Sequence, residues 1–342
     1  METVRKKSYK HFIGIDVSRN TLDFAVMHGS KLLFHRVIPN DKQDITRYLE
    51  ELKKVHGIKL AKAIFCMEHT GIYCNHLLHC LQKLKANIVL ENPLHIKNSL
   101  GTARGKHDKA DSIRIANYVY KSRDEVKLWQ KRRPIIDQLA RLSTLRSRLM
   151  KMKKGMATTL KEQGGFETKK VAKQNTDLCK TTLTALTEDL NKIDATISGL
   201  ISGDENLNRL MTIITSVPCF GPVTALQIII ITNEYKDIRN PKKFACFAGI
   251  APFREDSGTV LKKAKVSHIA NKKIKALLHI CSLTAISYPG ELQDYYKRKS
   301  EVEGKHKLTV INAIRNKLIL RVFSCLNQDR VFEKDYKRPF TV

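Results

Sequence analysis

The chain has no long apolar run. Its longest, Ala225 to Ile231, is interrupted by Gln227 and falls far short of the ~18 to 20 uncharged residues of a membrane-spanning helix, so no membrane partner is expected. The start, METVRKKSYKHF, is basic but leads into a strand pattern rather than an apolar signal core, which argues against export. The eight cysteines show no repeated CxxC pairs, so a disulfide framework is not expected and a reducing, cytoplasmic setting fits. One dense group, Cys66, His69, Cys74, His76, His79 and Cys80, invites a zinc reading. Its spacings match no usual structural-zinc pattern, and a strand followed by a helix with small buried cysteines and partly exposed histidines is the simpler expectation. Internal repeats and extended low-complexity segments are also lacking.

Acidic residues are scarce too: 33 Asp and Glu stand against 62 Lys and Arg, a net charge of +29. Basic residues occur throughout rather than in one tail. Such a balance calls for a polyanion, and DNA or RNA is the expected one, because a surface this positive attracts phosphate through counterion release. A length of 342 residues is comfortable for two domains plus a connector.

Hydrophobic periodicity divides the chain. Phe12, Ile13 and Ile15 form one strand pattern, Leu22, Phe24 and Val26 a second, and Leu32 to Ile38 a third after His28-Gly29-Ser30. Residues 44–55 look helical, Ala61 to Met67 reads as a buried strand, Tyr73 to Leu84 as an amphipathic helix, Ala86 to Leu90 as a strand, and Lys109 to Tyr120 as a helix. Strands first, then alternating helix and strand, is the order of an α/β RNase H-like (RuvC-like) domain, expected over residues 1–130. After Pro134, Ile135, Leu139, Leu142, Leu149 and Met152 fall at coiled-coil intervals, and Leu183, Leu186, Leu190, Ile193, Ile197 and Leu200 repeat in steps of three and four. A helical coiled-coil connector over 131–205, with a Gly- and Lys-rich loop around Gly164 to Asn175, is expected. It closes either as an antiparallel pair within the chain or as a joint between subunits. Residues 206–342 read as a mainly α C-terminal domain, with an apolar helix after Val217-Pro218-Cys219-Phe220-Gly221-Pro222 and long helices from about Ala270.

Four carboxylates stand out. Asp16 sits mid-strand in FIGIDVS, where an uncompensated charge would be costly to bury. Glu68 closes the apolar strand AIFCME. Asp108 and Asp111, in KHDKADS, are three apart at a helix start and so share a face. Converging on one sheet edge, the four would repel one another unless divalent metal neutralised them, and hard oxygen ligands suit Mg²⁺ or Mn²⁺. A pair of such ions serves phosphoryl transfer. The alternative gives each acid a local job, such as a turn for Asp16 and helix capping or dipole roles for Asp108 and Asp111. GIDVSRNTLDFAV also looks like the first phosphate loop of actin-like ATPases and sugar kinases, but the further Gly-rich loops those proteins need are missing.

The blocks FIGIDVSRNTLDFAV, EHTGIY with Leu77 and Leu78, and GKHDKADSIRIAN resemble, in order and spacing, the DEDD motif blocks of insertion-sequence transposases. SVPCFGPVTALQI resembles that family's helix-hairpin-helix-like segment, and FACFAGIAPFREDSGTVLKKAKVSHIANKKIKALL its serine block. The family is that of the RuvC-like, catalytic-serine transposases, related to Piv-type DNA invertases and described as bridge-RNA-guided recombinases.

The resemblance implies that Asp16, Glu68, Asp108 and Asp111 are catalytic metal ligands and that Ser257 attacks a DNA phosphate. It further implies double-stranded DNA at element ends and target, a bridge RNA, and a homo-oligomer, dimer or tetramer, as partners. Gly221, Gly258, Lys262, Lys263, Lys265, Lys272 and Lys273 are the candidate nucleic-acid contacts, glycine for close backbone approach and lysine for phosphate neutralisation. The chain departs from the family pattern at Cys219, Thr259 and Ala270, where glycines are usual, and at His107 and Ser112, where Thr and Ala are usual. Two other readings use fewer of these residues: a metal-dependent junction nuclease in which only the carboxylates act, and a non-catalytic nucleic-acid-binding domesticated transposase.

Overall fold

A computed structural model of the chain describes residues 8–99, 107–253, 264–267 and 269–334. The chain divides into two compact units, Met1–Lys131 and Arg132–Val342. In the first, β1 (His11–Val17), β2 (Thr21–His28) and β3 (Lys31–Pro39) precede α1 (Lys42–Lys54), β4 (Ala63–Glu68), α2 (Asn75–Lys83), β5 (Asn87–Glu91), α3 (Pro93–Ser99) and α4 (Asp108–Lys121). Short turns make β1, β2 and β3 antiparallel, whereas the return to β4 crosses through α1 and leaves β4 and β5 parallel to β1. The resulting order, β3-β2-β1-β4-β5, is the RNase H-like architecture that the strand and helix patterns predict. Helix α3 is an addition that no periodicity announced.

The sheet is covered on both faces because its strands alternate. Ile13, Ile15, Phe24, Phe65 and Met67 join Leu49 of α1 and Leu77 of α2 in one core. Phe12, Ala25, Ile64, Cys66 and Val89 face the other way, against Ile96 of α3 and Ile115, Ala116 and Val119 of α4. The Cys/His group separates accordingly. Cys66 lies on the α4 face, Cys74 and Cys80 belong to the opposite core, and His69, His76 and His79 are exposed. Residues close in sequence are thus parted by the sheet itself, as the strand-then-helix reading expects.

In the second unit, α5 (Pro134–Phe166) and α6 (Lys169–Ser202) run antiparallel. Arg146 binds Asp194 through two hydrogen bonds of 2.5 and 3.0 Å near the base, and Asn175 reaches Gln163 at 3.3 Å near the tip. The apolar steps of three and four therefore close a hairpin inside one chain, with Leu186, Leu190, Ile193, Ile197 and Ile201 buried. The loop expected from Gly164 to Asn175 is instead helical on both sides of a Glu167-Thr168 turn. A glycine costs a helix only about 1 kcal/mol, too little to break one that packs along a partner, and the Thr168 hydroxyl accepts from the Val171 N–H to start α6.

The base of the hairpin shares its core with α7 (Glu205–Ser216), α8 (Pro222–Thr232), α9 (Pro241–Phe247), α10 (Lys272–Ser287), α11 (Glu291–Lys297) and α12 (Lys307–Gln328). Helix α8 is apolar all round and correspondingly buried. A short antiparallel pair, β6 (Pro252–Phe253) and β7 (Lys265–Val266), lies between α9 and α10.

One buried ion pair ties the start of α5 to the turn after α8. Asn233, Glu234 and Tyr235 all have positive φ, and the fully buried Glu234 carboxylate is held by Arg133 at 2.6 Å, Lys236 at 3.0 Å and Asn206 at 3.0 Å. Arg133 also grips Asp204, the N-cap of α7, at 2.8 Å. Burial pushes the Glu234 pKa up, but the hydrogen bonds from Arg133, Lys236 and Asn206 outweigh it and hold the group below its usual value. Arg133→Ala is expected to cost about 2 kcal/mol, because it strips a buried carboxylate of its main partner. Urea unfolding at pH 7 checks this. The deficit should shrink as pH falls through the Glu234 pKa, since a depressed carboxyl stabilises the fold only while ionised.

Candidate active site

Strand alternation places Asp16 on the same face of β1 as Phe12 and Gly14, and Glu68 on the same face of β4 as Ile64 and Cys66. That is the face α4 covers. The last register pair of the two strands is Ile15 with Met67, so the two acids follow it side by side at the carboxyl end of the sheet. Gly14 decides how near α4 can come. A Cβ at this position would lie 2.2 Å from both the Ala116 N and the Ser112 O, so the helix backbone rests directly on β1 and only glycine fits beneath it. The helix thereby carries Asp108 and Asp111, in its first turn, to the end of β1.

The start of α4 is set by His107, whose extended backbone (φ −153°, ψ 149°) and ring Nδ1, accepting from the Ala110 N–H at 3.2 Å, make it the N-cap. The imidazole does the capping that the family's Thr would do. Neither Asp108 nor Asp111 is the cap, which removes one of the local roles considered for them. Ser112 is fully buried and returns its hydroxyl to the Lys109 carbonyl at 2.9 Å, so the departure from Ala is accommodated within the helix.

Electrostatics tie Asp16 to its acidic neighbours. Burial raises the Asp16 pKa from 3.8 to about 6, and the charges of Asp108, Asp111, Glu68 and Asp23 add to the rise. Asp23 was missed in the sequence. It sits directly opposite Asp16 in the β1–β2 register, is buried, and accepts from His35 Nε2 at 3.0 Å. The signal was its parity in TLDFAV, between Leu22 and Phe24, which the register of the hairpin turns toward α4. Arg114 stands 3.9 Å from Asp111. Among the described residues, no three His, Cys, Asp or Glu side chains are already gathered tightly enough to hold a metal ion; the neighbouring charges register at Asp16.

The candidate contacts in the second unit divide. Ser257, Gly258, Lys262 and Lys263 lie outside the described residues, as does Thr259. Lys265 on β7 and Lys272 at the start of α10 are exposed, free of the core and fit to meet phosphate. Lys273 is exposed as well, but its ammonium has a partner within the chain. Its ammonium donates at 3.1 Å to the buried Ser143 hydroxyl, which also accepts from Gln227 at 2.6 Å, and burial, then the Arg146 charge, lower its pKa. Lys273 thus stays open to solvent while its ammonium reaches Ser143 on α5, whereas Lys272 stands at the first position of α10. Gly221 caps α8 in an extended conformation with open space where a Cβ would be, and Cys219 adopts φ +74°, the left-handed conformation otherwise favoured by glycine. The turn thus keeps its backbone shape without its first glycine.

Residues 13–163 match a transposase model of the DEDD, IS110 type, and residues 211–297 match the model of the transposase IS116/IS110/IS902 family. The chain is 26% identical over 336 residues to the pilin gene-inverting protein of Moraxella lacunata, covering 95% of this chain and 98% of that protein. Its counterpart in Moraxella bovis is 26% identical over 335 residues, with the same coverage of both chains. An uncharacterized 44.8 kDa protein of insertion element IS116 from Streptomyces clavuligerus is 26% identical over 150 residues, 44% of this chain and 36% of that one. Among solved structures, T. thermophilus RuvC in complex with Holliday junction substrate is similar over 35% of this chain and all of its own, at 16% identity and a TM-score of 0.28.

Proposed function

The chain belongs to the IS116/IS110/IS902 family of transposases, and from that premise we propose that this DNA recombination enzyme cuts and rejoins double-stranded DNA with two sets of groups. The observation that carries the proposal is the placement of Asp16 and Glu68 at the carboxyl end of neighbouring strands with the first turn of α4, which bears Asp108 and Asp111, resting on β1; there burial, and then the charges of Asp108, Asp111 and Glu68, bring the Asp16 pKa to about 6. Hard oxygen donors that repel one another fit a divalent cation, Mg²⁺ or Mn²⁺, and these four would hold it. Such a cation, when bound, supplies neutralisation of the scissile phosphate and polarisation of its oxygens.

The chain's own residues do the rest. Asp16 and Glu68, on rigid strands, set the fixed half of the site, and Asp108 and Asp111 move only with α4. The Ser257 hydroxyl attacks phosphorus: its oxygen forms the new P–O bond, its proton passes to solvent water, and the bond to the departing deoxyribose oxygen breaks with its electron pair staying on that oxygen. The phosphoserine so formed conserves the bond energy needed for rejoining without ATP. Gly258 lets the DNA backbone approach closely, Lys262, Lys263, Lys265 and Lys272 neutralise it, and the turn at Gly221 offers backbone N–H groups. The resemblance to the bridge-RNA-guided recombinases supports a second polyanion, a bridge RNA that selects the DNA, with the basic α5–α6 hairpin as its seat; the net charge of +29 suits such a partner without specifying it. Element ends and target are joined by a homo-oligomer, a dimer or tetramer.

A junction nuclease that uses the carboxylates alone has one observation in its favour: all four candidate acids lie in the first unit, Met1–Lys131, so that reading needs nothing from Ser257. The deciding experiment incubates the protein, purified with its co-expressed RNA, with Mg²⁺ and element-end DNA and looks on a denaturing gel for DNA attached to protein. An adduct formed by the wild type and lost in both Ser257→Ala and Asp16→Ala is the expected result. Cleavage without an adduct, persisting in Ser257→Ala, would sink the serine mechanism and leave the nuclease.

A further inference from the structure

The row of acids at the end of the sheet extends one strand further. Glu91, the last residue of β5, is the register partner of Glu68 and shares the α4 face with Val89; its carbonyl accepts from the His69 N–H at 3.0 Å. With strands ~4.8 Å apart, Glu91 stands about 10 Å from Asp16 along the row. Its carboxylate is fully engaged. One oxygen accepts from the Asn92 N–H at 2.8 Å and from His95 Nδ1 at 2.9 Å, and the other from the Tyr118 hydroxyl at 2.9 Å. Tyr118 lies two helical turns after Asp111 on α4, so the helix that carries two of the catalytic candidates also clamps this group.

A carboxylate can only accept, so the His95 proton is on Nδ1 and the outer nitrogen, Nε2, is left to exchange a proton. The His95 side chain is 63% exposed while Glu91 beneath it is 20% exposed. An imidazole whose inner nitrogen is fixed by a buried-side carboxylate, itself fixed by a third group, and whose ring is otherwise open to solvent is the arrangement of an oriented acid or base. An i,i+4 pair serving α3 alone would not need the Tyr118 clamp from another helix.

We propose that His95 is the proton donor to the departing oxygen in strand cleavage, oriented by Glu91 and Tyr118 as positioning residues. The inference rests on the strand-cleavage reading above. As the P–O bond to the departing deoxyribose oxygen breaks, its electron pair stays on that oxygen, the Nε2 proton of the imidazolium transfers to it, and neutral imidazole with its Nδ1–H on Glu91 remains. In rejoining, the same nitrogen takes the proton back from the attacking hydroxyl.

The test uses the full chain with its co-expressed RNA, Mg²⁺, and two element-end duplexes, one ordinary and one with sulfur replacing the departing bridging oxygen, a leaving group that needs no proton. His95→Ala is expected to slow cleavage of the ordinary duplex by about a hundredfold or more but that of the sulfur duplex by less than about tenfold, with millimolar imidazole restoring part of the ordinary rate. His95→Asn, which keeps a donor for Glu91, guards against a folding defect and should show the same split. Equal loss on both duplexes, or no loss on either, would overturn the assignment while leaving the cleavage reading intact. A wild type that cuts neither duplex would overturn that reading and the inference with it.

Discussion

Asp16→Asn should raise the stability of the metal-free protein at neutral pH while reducing DNA cleavage by about a thousandfold or more. The two effects have one cause. A carboxyl with a pKa of about 6 when folded and 3.8 when free binds its proton more tightly in the folded state, so the fold loses stability as pH climbs from 3.8 to 6 and does not recover it above. A shift of about two units sets an upper bound of about 3 kcal/mol; partial exposure of Asp16 and solvent screening reduce this to about 1–2 kcal/mol. The gain in the variant should therefore be absent below pH 3.8, grow through the window, and stay constant at pH 7 to 8. Mg²⁺ should stabilise the wild type by mass action and the variant far less. Denaturant unfolding in chelator and in Mg²⁺, beside a cleavage assay, measures all of this. A variant less stable than wild type at pH 7.5, or one that still cuts within tenfold of it, would refute the account of Asp16 as a charge held in place for function.

Gly14→Ala is expected to be strongly damaging for the addition of a single methyl group. The added Cβ would stand 2.2 Å from two backbone atoms of α4, the Ala116 N and Ser112 O, and no side-chain rotation relieves a clash with backbone. Either β1 bends or α4 lifts, at a cost of about 3 kcal/mol or more. If α4 lifts, Asp108 and Asp111 move away from Asp16, whose pKa should then fall from about 6 toward 3.8. Thermal unfolding and the carboxyl titration of Asp16 by NMR read the two consequences separately. Wild-type stability in Gly14→Ala would mean that α4 does not rest on β1 as described.

Much of this was legible beforehand because it depends on local periodicity and residue chemistry. Alternation over β1 to β3, the buried run of β4 and the steps of three and four along α5 and α6 each announce their element within a dozen residues. The candidate acids were likewise nameable, since a carboxylate inside FIGIDVS or at the end of AIFCME contradicts its apolar surroundings. Composition alone pointed to a polyanionic partner.

What periodicity could not convey is which distant residues share a face and how near two backbones come. Cys66 and Cys74 are eight residues apart yet on opposite sides of the sheet, because strand parity and the turn after β4 decide it. Asp23 and Glu91 look like ordinary strand-edge acids until register sets them beside Asp16 and Glu68. Lys272 and Lys273 are adjacent, chemically identical and both exposed, and only the placement of α10 against α5 gives Lys273 a partner in Ser143. The helical passage through Gly164 and Gly165 was likewise settled by packing along α6, which outweighs a weak local preference. The sequence by itself determined which elements form and which groups carry chemistry, through interactions a few residues long; tertiary structure decided which of those groups meet, because register and helix rotation are set by cores assembled from residues far apart in the chain.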